Sequence, residues 1–182
     1  MHLDDPTDKP QFATAYWALC ADAMSGAAGT LGYHDDADRW RATAASVRAA
    51  WWARHGQEDA SLRDASQTSL AMALRARLVP EDARDVVAAQ LRTSVLSRGA
   101  ALTTGIHGTR FLLGALSDTG SLDLAYALLL RREYPSWLYA VDHGATTVWE
   151  RWDGWTESDG FQTPFMNSLD HYALGSVGEW LH

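Results

Sequence analysis

The sequence predicts an all-α protein built of helical hairpins, packed in layers or around an axis. Apolar residues recur at helical spacing through the first two-thirds of the chain. The periodic segments come in pairs, joined by short turns that carry Gly or Pro. No strict sequence period accompanies them, which argues against a regular solenoid.

Taken in order, Phe12, Ala15, Tyr16, Leu19, Cys20 and Ala23 mark a first helix, with Asp8 and Pro10 at its start. A second helix is expected over about 36–54, burying Trp40, Ala44, Val47 and Trp51 on one stripe. Segments 66–78 and 81–98 form a pair, with Pro80 suited to the turn that opens the second helix. Another pair spans 108–116 and 121–132, joined by "SDTG". A last helix begins near His171 and runs on to His182. Seven helices are expected in all.

The 182 residues read as one domain, long enough to bury a core. A net charge of −8 with dispersed arginines excludes a nucleic-acid partner, because phosphate contacts need clustered cations. Cys20 is the only cysteine, so neither an intrachain disulfide nor a cysteine zinc site is expected, and it reads as a small buried hydrophobe on its helix. The acidic start "MHLDDPTDKP" does not resemble a secretory leader, and no apolar stretch reaches the length of a membrane span. A cytoplasmic protein with no membrane partner and no cofactor is the expectation.

The segment 133–170 breaks the helical pattern, and structureless stretches of that length are usually functional. Four of the nine tryptophans, Trp137, Trp149, Trp152 and Trp155, fall inside it, which concentrates aromatic surface outside the helices. Its centre reads "GATTVWERWDGWTESDG". Thr146, Thr147 and Val148 favour extended backbone, where alternation would set Glu150 beside Trp152 and Trp149 beside Arg151. A carboxylate against an aromatic wall is what a glycosidase requires: the ring packs on a sugar face while the carboxylate handles a proton. On composition alone the plainer reading is preferred, in which the indoles fill core and Glu150 pairs with Arg151 or another cation. Asp142, Asp153, Glu157 and Asp159 are candidates for a second carboxylate, with solvated surface acids as the simpler account. His143 and His171 lack metal-ligand spacing, so no metal is expected. Gly105 and Gly108 flank a helix start that could meet a polar ligand through its N–H groups, or simply allow a close helix approach.

The segments "YPSWLYAVDHGATTVWERWDGW" and "MNSLDHYALGSVGEWL" strongly resemble the catalytic domain of bacterial α-L-rhamnosidases. "QTSLAMALRARLVPEDAR" and "TTGIHGTRFLLGALSDTGSLDLAYALLLRREYPSW" fit the same family, so that the resemblance covers roughly 67–182. It implies part of an (α/α)6 barrel of six hairpins over residues 1–182, and inverting hydrolysis of terminal α-L-rhamnose from a rhamnose-containing glycoside. It implies Glu150 as general base, His171 as a sugar contact, and Trp149 and Trp152 as walls of the rhamnose pocket. Glu150 should then line a concave pocket with at least one of those indoles, unpaired from Arg151. The family's general acid sits in an Asp-x-x-x-Arg-x-Glu-type motif that this sequence lacks; "DDADRW" lacks the glutamate. Asp170 stands where the family commonly has Asn. The chain therefore resembles the second half of the barrel, to be completed by a companion chain or by self-association. The alternatives are a non-catalytic carbohydrate-binding or oligomerising remnant, and a six-hairpin glycosidase for another sugar.

Overall fold

The computed structural model describes residues 7–64, 66–163, 165 and 167–182. Six helices form three successive hairpins: α1 (Lys9–Thr30) with α2 (His34–His55), α3 (Gln67–Arg75) with α4 (Arg84–Leu96), and α5 (Ile106–Asp118) with α6 (Leu122–Leu129). The first members touch one another, α1 to α3 and α3 to α5, while each second member packs against its own partner. This is an all-α architecture of helical hairpins, as the sequence predicts.

Local chemistry sets the helix ends. Pro10 stands in the first turn of α1, where its missing N–H costs nothing, and Asp8 occupies the cap position in extended backbone. Ser66 caps α3 by accepting a hydrogen bond from the Ser69 N–H at 3.1 Å. Pro80 precedes a 3₁₀ turn, Glu81–Ala83, that leads into α4. Helix α3 ends at Arg75, short of the expected Leu78, because Arg77 takes a positive φ of 55°.

Two expected core residues lie elsewhere. Cys20 is exposed rather than buried, and Trp40 is only half-buried, with Arg39 over its ring at 5.7 Å. The reason is rotation of the stripe. Helix α1 buries Ala15, Ala18, Ala21 and Ala28 against α2, since alanines permit the closest approach of two backbones. Phe12 and Tyr16 turn toward α5, meeting His107 and Phe111 edge-on, and Cys20 and Ala23 are left facing out.

The core centres on α3, whose residues Gln67 to Leu74 are all buried, and on α5. Buried Gln67 is fully used: its side-chain amide donates to the Ala101 carbonyl and accepts from the Thr103 N–H, each at 2.9 Å. That fixes the loop before α5. Gly108 lets α3 and α5 touch, because a Cβ there would collide with the Thr68 hydroxyl and sit 2.9 Å from Thr68 Cβ. The close-approach reading of this glycine is therefore the operative one.

The stretch 133–170 is not structureless. It holds a short helix, α7 (Trp137–Asp142), capped by Ser136, and a two-stranded hairpin of β1 (Trp155–Thr156) and β2 (Gly160–Phe161). The last segment is a 3₁₀ turn, Ala173–Ser176, followed by α8 (Val177–Leu181), so helix starts two residues after His171. Eight α-helices are present among the described residues, one more than expected. Among the described residues no helix is long and apolar enough to cross a membrane.

Candidate functional site

Three indole N–H groups tie the C-terminal segments to one another and to α5 with the loop before it. Trp137 donates to the Leu174 carbonyl at 2.9 Å, Trp152 to the Thr104 carbonyl at 2.8 Å, and Trp180 to the Ser117 hydroxyl at 2.8 Å. Trp137 and Trp152 meet at right angles with centroids 5.1 Å apart. Each N–H, buried at Trp152 and partly buried at Trp137 and Trp180, is thus satisfied by an acceptor on a neighbouring segment.

On this footing two distant stretches zip together. The Glu150 N–H donates to the Ser168 carbonyl at 2.9 Å, and the His171 N–H donates to the Val148 carbonyl at 2.7 Å. The Thr147 hydroxyl adds a bond to the Leu169 carbonyl. The Ser168 N–H, in turn, donates not to a carbonyl but to Glu150 Oε2, at 2.8 Å. One carboxylate oxygen is thereby held by a backbone amide. Glu150 and His171, far apart in sequence, thus lie on two segments joined directly by backbone hydrogen bonds.

Arg151 does not lock Glu150. Its guanidinium forks onto Asp153, with Nε and Nη2 donating to the two carboxylate oxygens at 2.9 Å each. Asp153 is 3 % exposed. Burial, the largest single influence, pushes its carboxyl up, but its cationic partners, Arg151 first among them, together hold it below the usual carboxylate range. Other nearby acids are also engaged: Asp142 with Arg132, Glu157 with His143 Nε2 at 3.3 Å, and Asp159 with the hydroxyls of Thr156 and Ser158. Hydrogen bonds from those two hydroxyls hold the Asp159 carboxyl low.

His143 is a structural residue. Its Nδ1 lies 2.7 Å from the Tyr139 carbonyl, and its ring packs on Tyr139 and Trp155 at 4.2 and 4.7 Å. The carbonyl, then Glu157, raise its pKa against the opposing effect of burial. Among the described residues no group of three or more His, Cys, Asp and Glu could hold a metal ion.

The expected alternation fails at the centre. Residues Arg151–Gly154 make a turn, closed by the Gly154 N–H on the Arg151 carbonyl at 3.2 Å, so Trp149 and Trp152 face inward together. Both are buried, 7 and 8 % exposed. They line a small apolar pocket of about 100 Å³ with Trp137 and Leu174, and Glu150 is not in that lining. In this pocket the indoles lie behind the segment that carries Glu150, whose carboxylate is held by the Ser168 N–H. Sequence reasoning also missed Ser168, whose N–H holds the carboxylate, and Thr104, whose carbonyl anchors Trp152. A backbone donor carries no signal in a side-chain pattern.

With this geometry in hand, the chain can be set beside known proteins. Residues 1–182 match the bacterial alpha-L-rhamnosidase 6 hairpin glycosidase domain. An α-L-rhamnosidase of Streptomyces avermitilis is 40 % identical over 182 residues, 100 % of this chain and 18 % of that protein. One of Formosa agariphila is 36 % identical over 180 residues, 97 % of this chain and 19 % of that one. The crystal structure of the S. avermitilis enzyme complexed with L-rhamnose superposes with a TM-score of 0.91 at 41 % identity, covering 98 % of this chain and 17 % of that one. Native α-L-rhamnosidase from Aspergillus terreus gives a TM-score of 0.91 at 31 % identity, covering 98 % of this chain and 21 % of that one. The chain thus spans less than a fifth of the length of the curated relatives named here. The helical hairpins and these likenesses agree, and the chain belongs to the bacterial α-L-rhamnosidase six-hairpin glycosidase family.

Proposed function

We propose that these residues supply the base-bearing part of an α-L-rhamnosidase that hydrolyses terminal α-L-rhamnose from glycosides with inversion. Glu150 is the general base and His171 a sugar contact. Trp149 and Trp152 shape the rhamnose pocket from behind the segment that carries Glu150. The observation that carries the reading is the state of Glu150. Ser168 fixes one oxygen through a backbone N–H, while the nearest guanidinium is spent on Asp153. Such a carboxylate keeps its second oxygen for a water molecule and is aimed without being neutralised.

Inversion also needs an acid on the other side of the sugar, about 6.5–9.5 Å from the base, to protonate the leaving oxygen. Asp153 and Asp159 are held low by their partners, the reverse of what a proton donor at neutral pH needs. Asp142 and Glu157 are tied to Arg132 and His143. The acid is therefore assigned to a part of the barrel outside these residues, on the same polypeptide or a companion chain. A second reading, self-association, draws on the exposed Trp17, Met24 and Leu31 of the first hairpin.

The test is hydrolysis of an unactivated rhamnoside by the 182-residue chain, alone and joined to the remaining hairpins of the domain. The chain alone should be inactive, and the complete domain should turn over and lose that turnover in Glu150→Gln. Robust activity of the chain alone, abolished by the same substitution, would show that the acid lies within it. A complete domain indifferent to Glu150→Gln would remove the base assignment.

A further inference from the structure

The turn Arg151–Gly154 presents a fixed carbonyl to the chain that returns against it. The Gly154 N–H closes the turn on Arg151, and an added Cβ at Gly154 would stand 3.3 Å from both the Arg151 carbonyl and the Trp149 ring. The Gly154 carbonyl takes two donors: the Gln162 N–H at 3.1 Å and the side-chain Nδ2 of Asn167 at 2.9 Å. The other end of that amide is unsatisfied. Asn167 Oδ1 is buried and has no hydrogen-bond partner among the described residues. A carbonyl can only accept, so Nδ2 must be the atom that faces Gly154, and the orphan is the oxygen.

An asparagine in this state adds little to stability. A buried acceptor without a donor costs at least as much as one neutral hydrogen bond returns, so the two halves of the amide roughly offset each other. The contact calls for another explanation, and the next residue in the chain supplies it. The peptide joining Asn167 to Ser168 is planar, so the direction of the Ser168 N–H follows the position of Asn167. That N–H donates to Glu150 Oε2 at 2.8 Å. On its far side, the Ser168 carbonyl is held by the Glu150 N–H at 2.9 Å. The donor to the carboxylate is thus pinned from both sides, and Asn167 is the pin on the side of the turn.

A carboxylate held through one oxygen swings if its donor drifts. The second oxygen then loses its line to the water that it must activate. We infer that Asn167 is a positioning residue for Glu150: by latching onto the Gly154 carbonyl, it aims the Ser168 N–H that fixes the carboxylate. This role rests on the reading of Glu150 as the general base. Asn167 acts through Ser168, so it governs turnover rather than sugar binding. An apolar side chain in its place would remove the orphaned oxygen and the latch together, which is why the two must be separated by measurement.

The test sets Asn167→Ala beside Glu150→Gln, in the 182-residue chain and in the complete domain. In the chain, amide exchange followed by ¹⁵N NMR should show the Ser168 N–H of Asn167→Ala exchanging about tenfold faster than in the parent. Exchange of the Trp152 indole N–H, held by the Thr104 carbonyl, should be unchanged. Tm should move by less than about 2 °C, because the lost bond and the relieved acceptor offset each other. In the complete domain, kcat for an unactivated rhamnoside should fall about ten- to a hundredfold, with KM within about twofold of the parent. A merely structural residue gives another pattern, in which Tm and kcat fall together and Trp152 exchange quickens with that of Ser168. That pattern, or a variant that does not fold, would overturn the inference. So would unchanged Ser168 exchange, or an unchanged kcat in a domain that Glu150→Gln inactivates, and in both cases the base reading would stand. A domain indifferent to Glu150→Gln would remove the base and, with it, the role given to Asn167.

Discussion

Gly108→Ala is the sharpest test of how the helices hold the candidate site. Gly108 is the third residue of α5 and faces α3. A methyl group there meets Thr68 at its hydroxyl and, at 2.9 Å, at its Cβ, with Thr104 Cγ2 at 3.0 Å. Rotating the Thr68 side chain relieves only the first of these: Thr68 Cβ is fixed by backbone position, and Thr104 Cγ2 can move only if Thr104 gives up its hydroxyl contact with Thr109. Overpacking of this kind costs about 1–3 kcal/mol. Replacing Gly by Ala in a helix returns at most about 1 kcal/mol, and less so close to the helix start. The net is a loss of about 1–2 kcal/mol, or about 2–8 °C in Tm for a domain of this size. Thermal melts followed by circular dichroism would measure it, with Gly26→Ala as the control. Gly26 lies within α1 with nothing near its added Cβ, so that change should be neutral or stabilising. If Gly108→Ala melts at or above the parent temperature, α3 and α5 do not pack as described.

Other outcomes are equally open to measurement. Trp152→Phe removes the donor to the buried Thr104 carbonyl and should cost about 1–3 kcal/mol in urea unfolding; no loss would mean that the indole is not a mooring. In the complete domain, His171→Ala should chiefly raise KM and Glu150→Gln chiefly lower kcat. Equal and negligible effects of both would count against the assignment. His143 has a raised pKa in the folded chain, so its contribution to stability is complete below about pH 6.5 and fades as pH rises through the folded value. The difference in Tm between the parent and His143→Asn should therefore shrink from pH 6 to pH 8, and an unchanged difference would contradict the contacts with Tyr139 and Glu157.

Helix existence was legible because it depends on short-range spacing, and the pairing of helices followed from turn residues such as Pro80 and the "SDTG" segment. Which face of a helix is buried was less so. Phe12 and Tyr16 are larger than Ala15 and Ala18, yet the alanines are the more deeply buried, because closeness of packing rather than residue size decides the contact with α2. At the site, the importance of Glu150 came from its motif, whereas its hydrogen bond to the Ser168 N–H joins residues eighteen positions apart and leaves no trace in local pattern. The turn at Arg151–Gly154 was hidden for a related reason. It depends on Gly154, where an added Cβ would lie 3.3 Å from the Trp149 ring and 3.0 Å from Asn167 Oδ1.

The direct bonding of Val148 and Glu150 to His171 and Ser168 has a consequence for how the region can vary. The spacing between the glutamate and the histidine is set across the rungs, independently of how far the backbone travels in between. The excursion that carries β1 and β2 is free to lengthen, shorten or change its tip without altering that spacing, provided its two ends still meet. Extra residues between Glu157 and Asp159 would be tolerated by the same logic, whereas a single inserted residue between Val148 and Glu150 would prevent the Glu150–Ser168 and His171–Val148 bonds from forming together.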